Sequence, residues 1–199
     1  MWSVPPPSAG ASLCDWARAN ELACYSRRVS WSQIGGFDLP AVLELTATRK
    51  ASVHILLFGL SEDEARVLVN GQVQRITRSD LERVWRGKQI FLWRPPLASP
   101  RPIVRGQRGE RVRWLYETLA YIDGGDVPSR DNPAFNGALM KRVKEFQYRS
   151  GLVADGIVGV QTFIHLNKMA LSARTPSLAR ATDADGRALD ETSLAMEAR

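Results

Sequence analysis

Thiol chemistry is the first possibility raised by the reactive side chains. A cysteine nucleophile needs an imidazole within hydrogen-bond reach and a third group to orient that ring. The chain holds two cysteines, Cys14 and Cys24, and two histidines, His54 and His165. Cys24, His54 and Asp63 are the set in the first half that a fold could gather for hydrolysis. Two features weigh against it. Cys24 follows Leu22 and Ala23 with no helix start to depress its pKa, and His54 lies inside an apolar run where a structural role is commoner. His165 falls among the core positions of a helical repeat, so no catalytic residue is expected. The Cys and His residues also lack the C-x-x-C or H-x-x-x-H spacings of metal sites, so neither a metal nor another cofactor is expected. Gly106-Gln107-Arg108-Gly109 lacks the third glycine and the lysine of a nucleotide loop. Two cysteines so close in sequence are compatible with a disulfide and equally with two reduced, buried thiols.

Charge narrows the partners without choosing one. The net charge of +6 over 199 residues suits an acidic surface, whether nucleic acid, anionic lipid or the carboxylates of cell-wall peptides. Nucleic acid is disfavoured because the chain has no RNP-type aromatic pair, zinc finger or long Lys/Arg run. The longest apolar stretch, Val53 to Leu60, is far short of the ~20 residues that span a bilayer, so no membrane segment is expected. Met1 to Leu13 has neither the basic start nor the apolar core of a secretory signal. Oligomeric state stays open, a homo-oligomer included.

The elements that must position these groups change character near residue 100. Residues 1–10, with Pro5, Pro6 and Pro7, read as a leader. From Leu13, apolar positions 13, 16 and 17 suit a short helix capped by Ser12. Ala41–Leu45 and Val53–Phe58 read as adjacent buried strands, and Asn70-Gly71 between Arg66–Val69 and Gln72–Ile76 predicts a hairpin. Ser79-x-x-Glu82 predicts a capped helix through Val84 and Trp85, ended by Gly87; Gln89–Trp93 gives a last strand before Pro95 and Pro96. Beyond Pro102 the apolar period becomes helical: Val112, Leu115, Leu119 and Ile122; then Leu139, Val143 and Phe146; then Phe163, Leu166 and Ala170. The fold class expected is therefore α+β: a small antiparallel-sheet domain with short helices over 11–97, and a three-helix domain over 101–171. Residues 172–199 read as a disordered tail.

Two resemblances sharpen this reading. Arg105-Gly106-Gln107-Arg108-Gly109, Val112-Arg113-Trp114-Leu115, Val143-Lys144-Glu145-Phe146-Gln147 and Gly151 to Thr162, with Asp155-Gly156-Ile157-Val158-Gly159 at its centre, together resemble a peptidoglycan-binding domain. Leu39 to Leu45, His54 to Leu60, and Val84-Trp85-Arg86-Gly87 with Phe91 to Pro96 resemble the later part of a C39-type cysteine-peptidase domain in degenerate form. Aligned on Gly59, Val53 and not His54 takes the histidine position, which implies a non-catalytic relative. The pair of domains is similar to the periplasmic region of the general secretion pathway protein A family. Members of that family sit in the inner membrane and help assemble the type II secretion secretin.

The resemblance implies a periplasmic location, an inner-membrane-anchored parent protein, and peptidoglycan, a secretion inner-membrane partner and the secretin as partners. In an oxidising periplasm Cys14 and Cys24 should form a disulfide. It also implies a shallow groove of mixed donors and acceptors on the helical domain. Gln147 and Tyr148 would face that groove, Arg142 and Arg149 would meet stem-peptide carboxylates, and Asp155 a diaminopimelate amine. Gly156, in a tight turn with Asp155, and Thr162 complete the expected peptidoglycan-binding set; the competing structural roles are Gln147 bonding loop backbone, Asp155 capping the turn and Thr162 satisfying the first amides of the third helix. Tyr116 departs from the pattern, since such modules often carry Gln there. Two other readings compete: a cell-wall or peptide hydrolase using Cys24 and His54, and a protein-docking domain of a secretion complex.

Overall fold

The structure, a computed structural model, describes residues 12–48, 51–97, 101–129, 131–170 and 177–178. The chain divides into two compact units, one of residues 1–94 with 176–199 and one of residues 95–175. The expected leader over 1–10 and tail over 172–199 lie outside the described residues, except for Ser177 and Leu178.

The first unit opens with α1 (Leu13–Ala19), whose N-cap Ser12 makes no side-chain cap bond. Next come β1 (Ala23–Arg28), α2 (Trp31–Phe37), β2 (Ala41–Thr48), β3 (Ala51–Leu60), β4 (Glu64–Val69), β5 (Gln72–Thr77), α3 (Arg78–Val84) and β6 (Trp85–Trp93). The six strands form one sheet in the order β1-β6-β2-β3-β4-β5, antiparallel at every pairing. The β4–β5 hairpin turns through Asn70 (φ 49°) and Gly71 (φ 78°), the two left-handed residues that match a tight turn to strand twist.

Strand alternation sends Ala41 and Leu43 of β2, and Phe91 and Trp93 of β6, to one buried face. Phe37 of α2 packs on Phe91 with ring centroids 4.7 Å apart, and Trp31 packs on Trp85 at 5.0 Å. Two elements here were not expected. β1 presents Ser26, Arg27 and Arg28 to solvent as an edge strand, so it lacks apolar alternation. α2 is opened by a capping box in which the Ser30 hydroxyl accepts from Gln33 N at 3.3 Å and Gln33 Oε1 accepts from Ser30 N at 2.9 Å.

α3 also differs from expectation. Thr77, not Ser79, caps it through a bond from Asp80 N of 3.2 Å, and Glu82 pairs with Arg78 at 2.9 Å. Trp85 does not continue the helix but starts β6, where its indole nitrogen donates to Lys88 O at 2.8 Å. A buried Trp on a strand satisfies its one donor locally, and the helix stops a turn earlier than Gly87 suggests.

The second unit packs α4 (Glu110–Asp123), α5 (Gly137–Arg149) and α6 (Val160–Ala170). Their buried stripes are Val112, Leu115 and Leu119; Leu139, Val143 and Phe146; and Phe163 and Leu166. Trp114 stacks on Phe163 at 5.4 Å. Ile103 and Val158, both buried, exchange backbone hydrogen bonds of 3.1 and 3.0 Å, which fixes the loop between α5 and α6 against the entry to the unit. Among the described residues no helix is long and apolar enough to cross a membrane.

Candidate functional site

The loop over residues 150–159 owes its shape to one side chain. Gln147, in the last turn of α5, is 2% exposed, and its carboxamide points into the loop and not out of it. Its Oε1 accepts from Gly156 N at 2.8 Å; its Nε2 donates to Ile157 O at 2.9 Å and lies 3.0 Å from Asp155 Oδ1 and 3.1 Å from Thr162 Oγ1. Asp155 Oδ1 also accepts from Ile157 N at 2.8 Å. A loop tucked against a helix end strands backbone donors and acceptors, and a buried amide supplies one of each. Gly156 is required here twice over: its φ is +80°, and a Cβ would sit 2.8 Å from Met140 Cγ and 3.1 Å from Lys144 Cε. The expectation that Gln147 faces a groove is thus corrected, and Thr162 serves the loop through this network.

Arg142 is likewise occupied. Its Nη2 and Nε donate to the two carboxylate oxygens of Asp123 at 2.8 and 3.2 Å, and its Nη1 donates to Asp126 O at 3.0 Å. This fork ties α5 to the end of α4, and the hydrogen bond from Arg142 holds the Asp123 carboxyl below the usual carboxylate range. The same guanidinium lies 6.0 Å above the Tyr116 ring. Tyr116 itself is buried, with its hydroxyl donating to Ala134 O at 3.3 Å, so this departure from the family pattern serves packing. Arg142, expected to meet stem-peptide carboxylates, is placed by the structure in this clamp.

Other side chains of this end of the unit are exposed. Tyr148 is 79% exposed, Val153 81% and Ile157 44%. Lys144 lies one helical turn before Tyr148 on the same face, and its stem borders Gly156. Arg149 is exposed and pairs with Glu145 at 2.5 Å. Tyr148 and Arg149 were expected at a surface of this kind; the exposed Lys144, Val153 and Ile157 were not, and for Lys144 the i, i+4 spacing to Tyr148 was the available signal. His165, by contrast, is buried on α6, and desolvation, with a smaller push from Lys168, lowers its pKa to about 4.

In the first unit Cys14 and Cys24 form the disulfide, with Cα atoms 5.4 Å apart, joining α1 to β1. Both cysteines of the chain are thereby used, and neither is a thiol. Cys24 on β1 and His54 on β3 are also separated by β6 and β2. Three strand spacings amount to ~14 Å, far outside hydrogen-bond reach. His54 instead faces Glu44 across the β2–β3 ladder at 3.7 Å, and Glu44 is also held by Lys88 at 2.5 Å. Asp63 sits in the β3–β4 turn, where its backbone oxygen accepts from Arg78 N at 2.8 Å. The structure does not bring Cys24, His54 and Asp63 together.

Residues 7–95 match the family described as GspA, peptidase C39-like domain, and residues 108–166 match the family described as putative peptidoglycan binding domain. The chain is 29% identical over 159 residues to general secretion pathway protein A of Aeromonas hydrophila, and 27% identical over 170 residues to putative general secretion pathway protein A of Escherichia coli (strain K12). These alignments cover 80% and 85% of this chain but 29% and 34% of those proteins, so the chain spans about a third of their length. Among solved structures it is similar to a periplasmic domain of the EpsAB fusion protein of the Vibrio vulnificus type II secretion system. That match has a TM-score of 0.52 at 26% identity and covers 84% of this chain and 72% of that one. The chain is thus similar to the GspA peptidase C39-like domain over residues 7–95 and to the putative peptidoglycan binding domain over residues 108–166.

Proposed function

We propose that this chain is a periplasmic, non-catalytic, peptidoglycan-binding region of a type II secretion assembly protein, anchoring its parent to the wall where the secretin is inserted. Wall contact falls to the outer face of the α5 end and the 150–159 loop. The observation that carries this reading is the division of labour in the motif: Gln147, Asp155, Gly156 and Thr162 hold the loop, which leaves Tyr148, Val153 and Ile157 exposed beside it. A phenol ring with two aliphatic neighbours suits the apolar face of a sugar ring, and Lys144 and Arg149 supply cations for stem-peptide carboxylates. Asp155 is exposed and uses Oδ1 in the loop, so Oδ2 is the oxygen left for a diaminopimelate amine. The first unit acts as a scaffold toward the inner-membrane partner and the secretin. The bonded state of both cysteines supports a role without thiol chemistry.

Sedimentation with purified sacculi tests this. Wild type is retained, and Tyr148→Ala combined with Lys144→Ala lowers retention at least about tenfold, a loss of about 1.4 kcal/mol, while the helical circular dichroism is unchanged. Equal retention of the folded double variant and wild type would refute the assigned surface.

A further inference from the structure

The chain beyond α6 returns to the first unit. The Ser177 hydroxyl lies 2.9 and 3.0 Å from the two carboxylate oxygens of Asp38, and Leu178 N donates to Asp38 O at 3.4 Å. Leu60 N, at the end of β3, donates to Leu178 O at 3.4 Å. The Leu178 side chain is 1% exposed. The receiving position is prepared locally: Asp38 is the left-handed C-cap of α2 (φ 51°), and its own N–H closes that helix on Ile34 O. The slot thus offers a carboxylate for a hydroxyl, the Asp38 carbonyl and the Leu60 amide for the N–H and C=O of Leu178, and a buried place for the leucine side chain.

We infer that this slot, formed by the α2 C-cap and the end of β3, is an intramolecular docking site. Its occupant is the chain's own Ser177–Leu178, which closes the first unit with residues that follow the second unit in the chain. Two isolated backbone bonds at the long end of the hydrogen-bond range would hold little by themselves, but the seated leucine and the charge-assisted hydroxyl bond act on the same two residues. The second unit is consequently an insertion, joined to the first unit by covalent chain before residue 95 and by the docked segment after residue 175. Both chain connections of a wall-held second unit therefore lead into the first unit. The meaning for wall anchoring rests on the proposed function; the docking does not, and its test uses no wall.

Hydrogen exchange and thermal unfolding of the full chain are the readouts. Leu178→Asp and Asp38→Asn should each speed exchange of the Leu60 amide at least about tenfold, and Leu178→Asp should lower the first unit's melting midpoint by about 4 °C or more. The second unit's transition should stay in place. Because loss of a side chain can perturb a fold for other reasons, a chain ending at residue 175 is then supplied with a synthetic peptide of residues 172–183. Recovery of Leu60 protection with this peptide, and none with its Leu178→Asp form, establishes the slot. Unchanged Leu60 exchange in Leu178→Asp, failure of the peptide to restore protection, or a dimer in which the segment crosses between copies would each overturn the intramolecular clasp.

Discussion

The two units reach order by opposite routes. In the second unit the contacts that shape the 150–159 loop join residues within fifteen positions of one another, from Gln147 to Asp155, Gly156, Ile157 and Thr162. In the first unit the sheet interleaves distant segments, with β6 placed between β1 and β2, and Ser177 meets Asp38 across a separation of 139 residues. A short polar motif can therefore specify the loop, whereas the sheet depends on long-range pairing and on a covalent bond that holds α1 to the edge strand. A conspicuous motif can thus mark what builds a surface: Gln147, Asp155, Gly156 and Thr162 hold the loop, while Tyr148, Val153 and Ile157 are the exposed residues.

Four perturbations break or sharpen this contrast. The largest effect is expected from Gln147→Ala, which removes the four hydrogen bonds of the amide, strands the buried Gly156 N and should cost the second unit about 4 kcal/mol. Urea unfolding should show that transition moving to lower denaturant while the first unit's stays. Acid comes next. The folded-state pKa of His165, about 4, lies below its unfolded value of 6.5, so between these values the unfolded state binds the extra proton. Stability of the second unit is therefore full above about 6.5 and is lost as pH falls toward about 4, by about 3 kcal/mol in all. His165→Leu should flatten that slope in pH-dependent melting.

Reduction acts on the other unit. Breaking Cys14–Cys24, which closes a loop with a sequence separation of 10, should cost the first unit between about 2 and 3 kcal/mol and leave the second unit's transition unmoved. Calorimetry with and without a reductant separates the two. The smallest change is a gain: Gln89 on β6 is 0% exposed, and neither amide atom has a hydrogen-bond partner among the described residues. Gln89→Leu should raise the first unit's stability by about 1 kcal/mol, read as a higher melting midpoint.

Much of the architecture was legible because its signals are local. Asn70-Gly71 specifies its hairpin by backbone conformation, and the helical stripes at Val112, Leu139 and Phe163 follow from a 3.6-residue period. β1 was not legible, since an edge strand with Arg27 and Arg28 in solvent has no apolar alternation to read. α2 is seven residues long and carries Gly35 and Gly36, which weaken helix propensity; its only strong signal is the box at Ser30 and Gln33. In the site, residue types indicated polar function for Gln147 and Arg142, but direction was hidden: whether an amide serves a loop or a ligand depends on which backbone groups the fold leaves stranded. The docking of Leu178 could not be read at all, because nothing near it in sequence encodes the slot at Asp38 and Leu60.

Where a soluble muropeptide touches the protein is the most direct test of wall binding. Titrated into the isotopically labelled full chain at millimolar concentration, it should shift the backbone amides of Lys144, Tyr148, Val153 and Ile157 and leave those of the first unit in place. Unmoved resonances at those four positions, or shifts confined to the sheet, would contradict the assignment of wall binding to the face beside the Gln147-held loop.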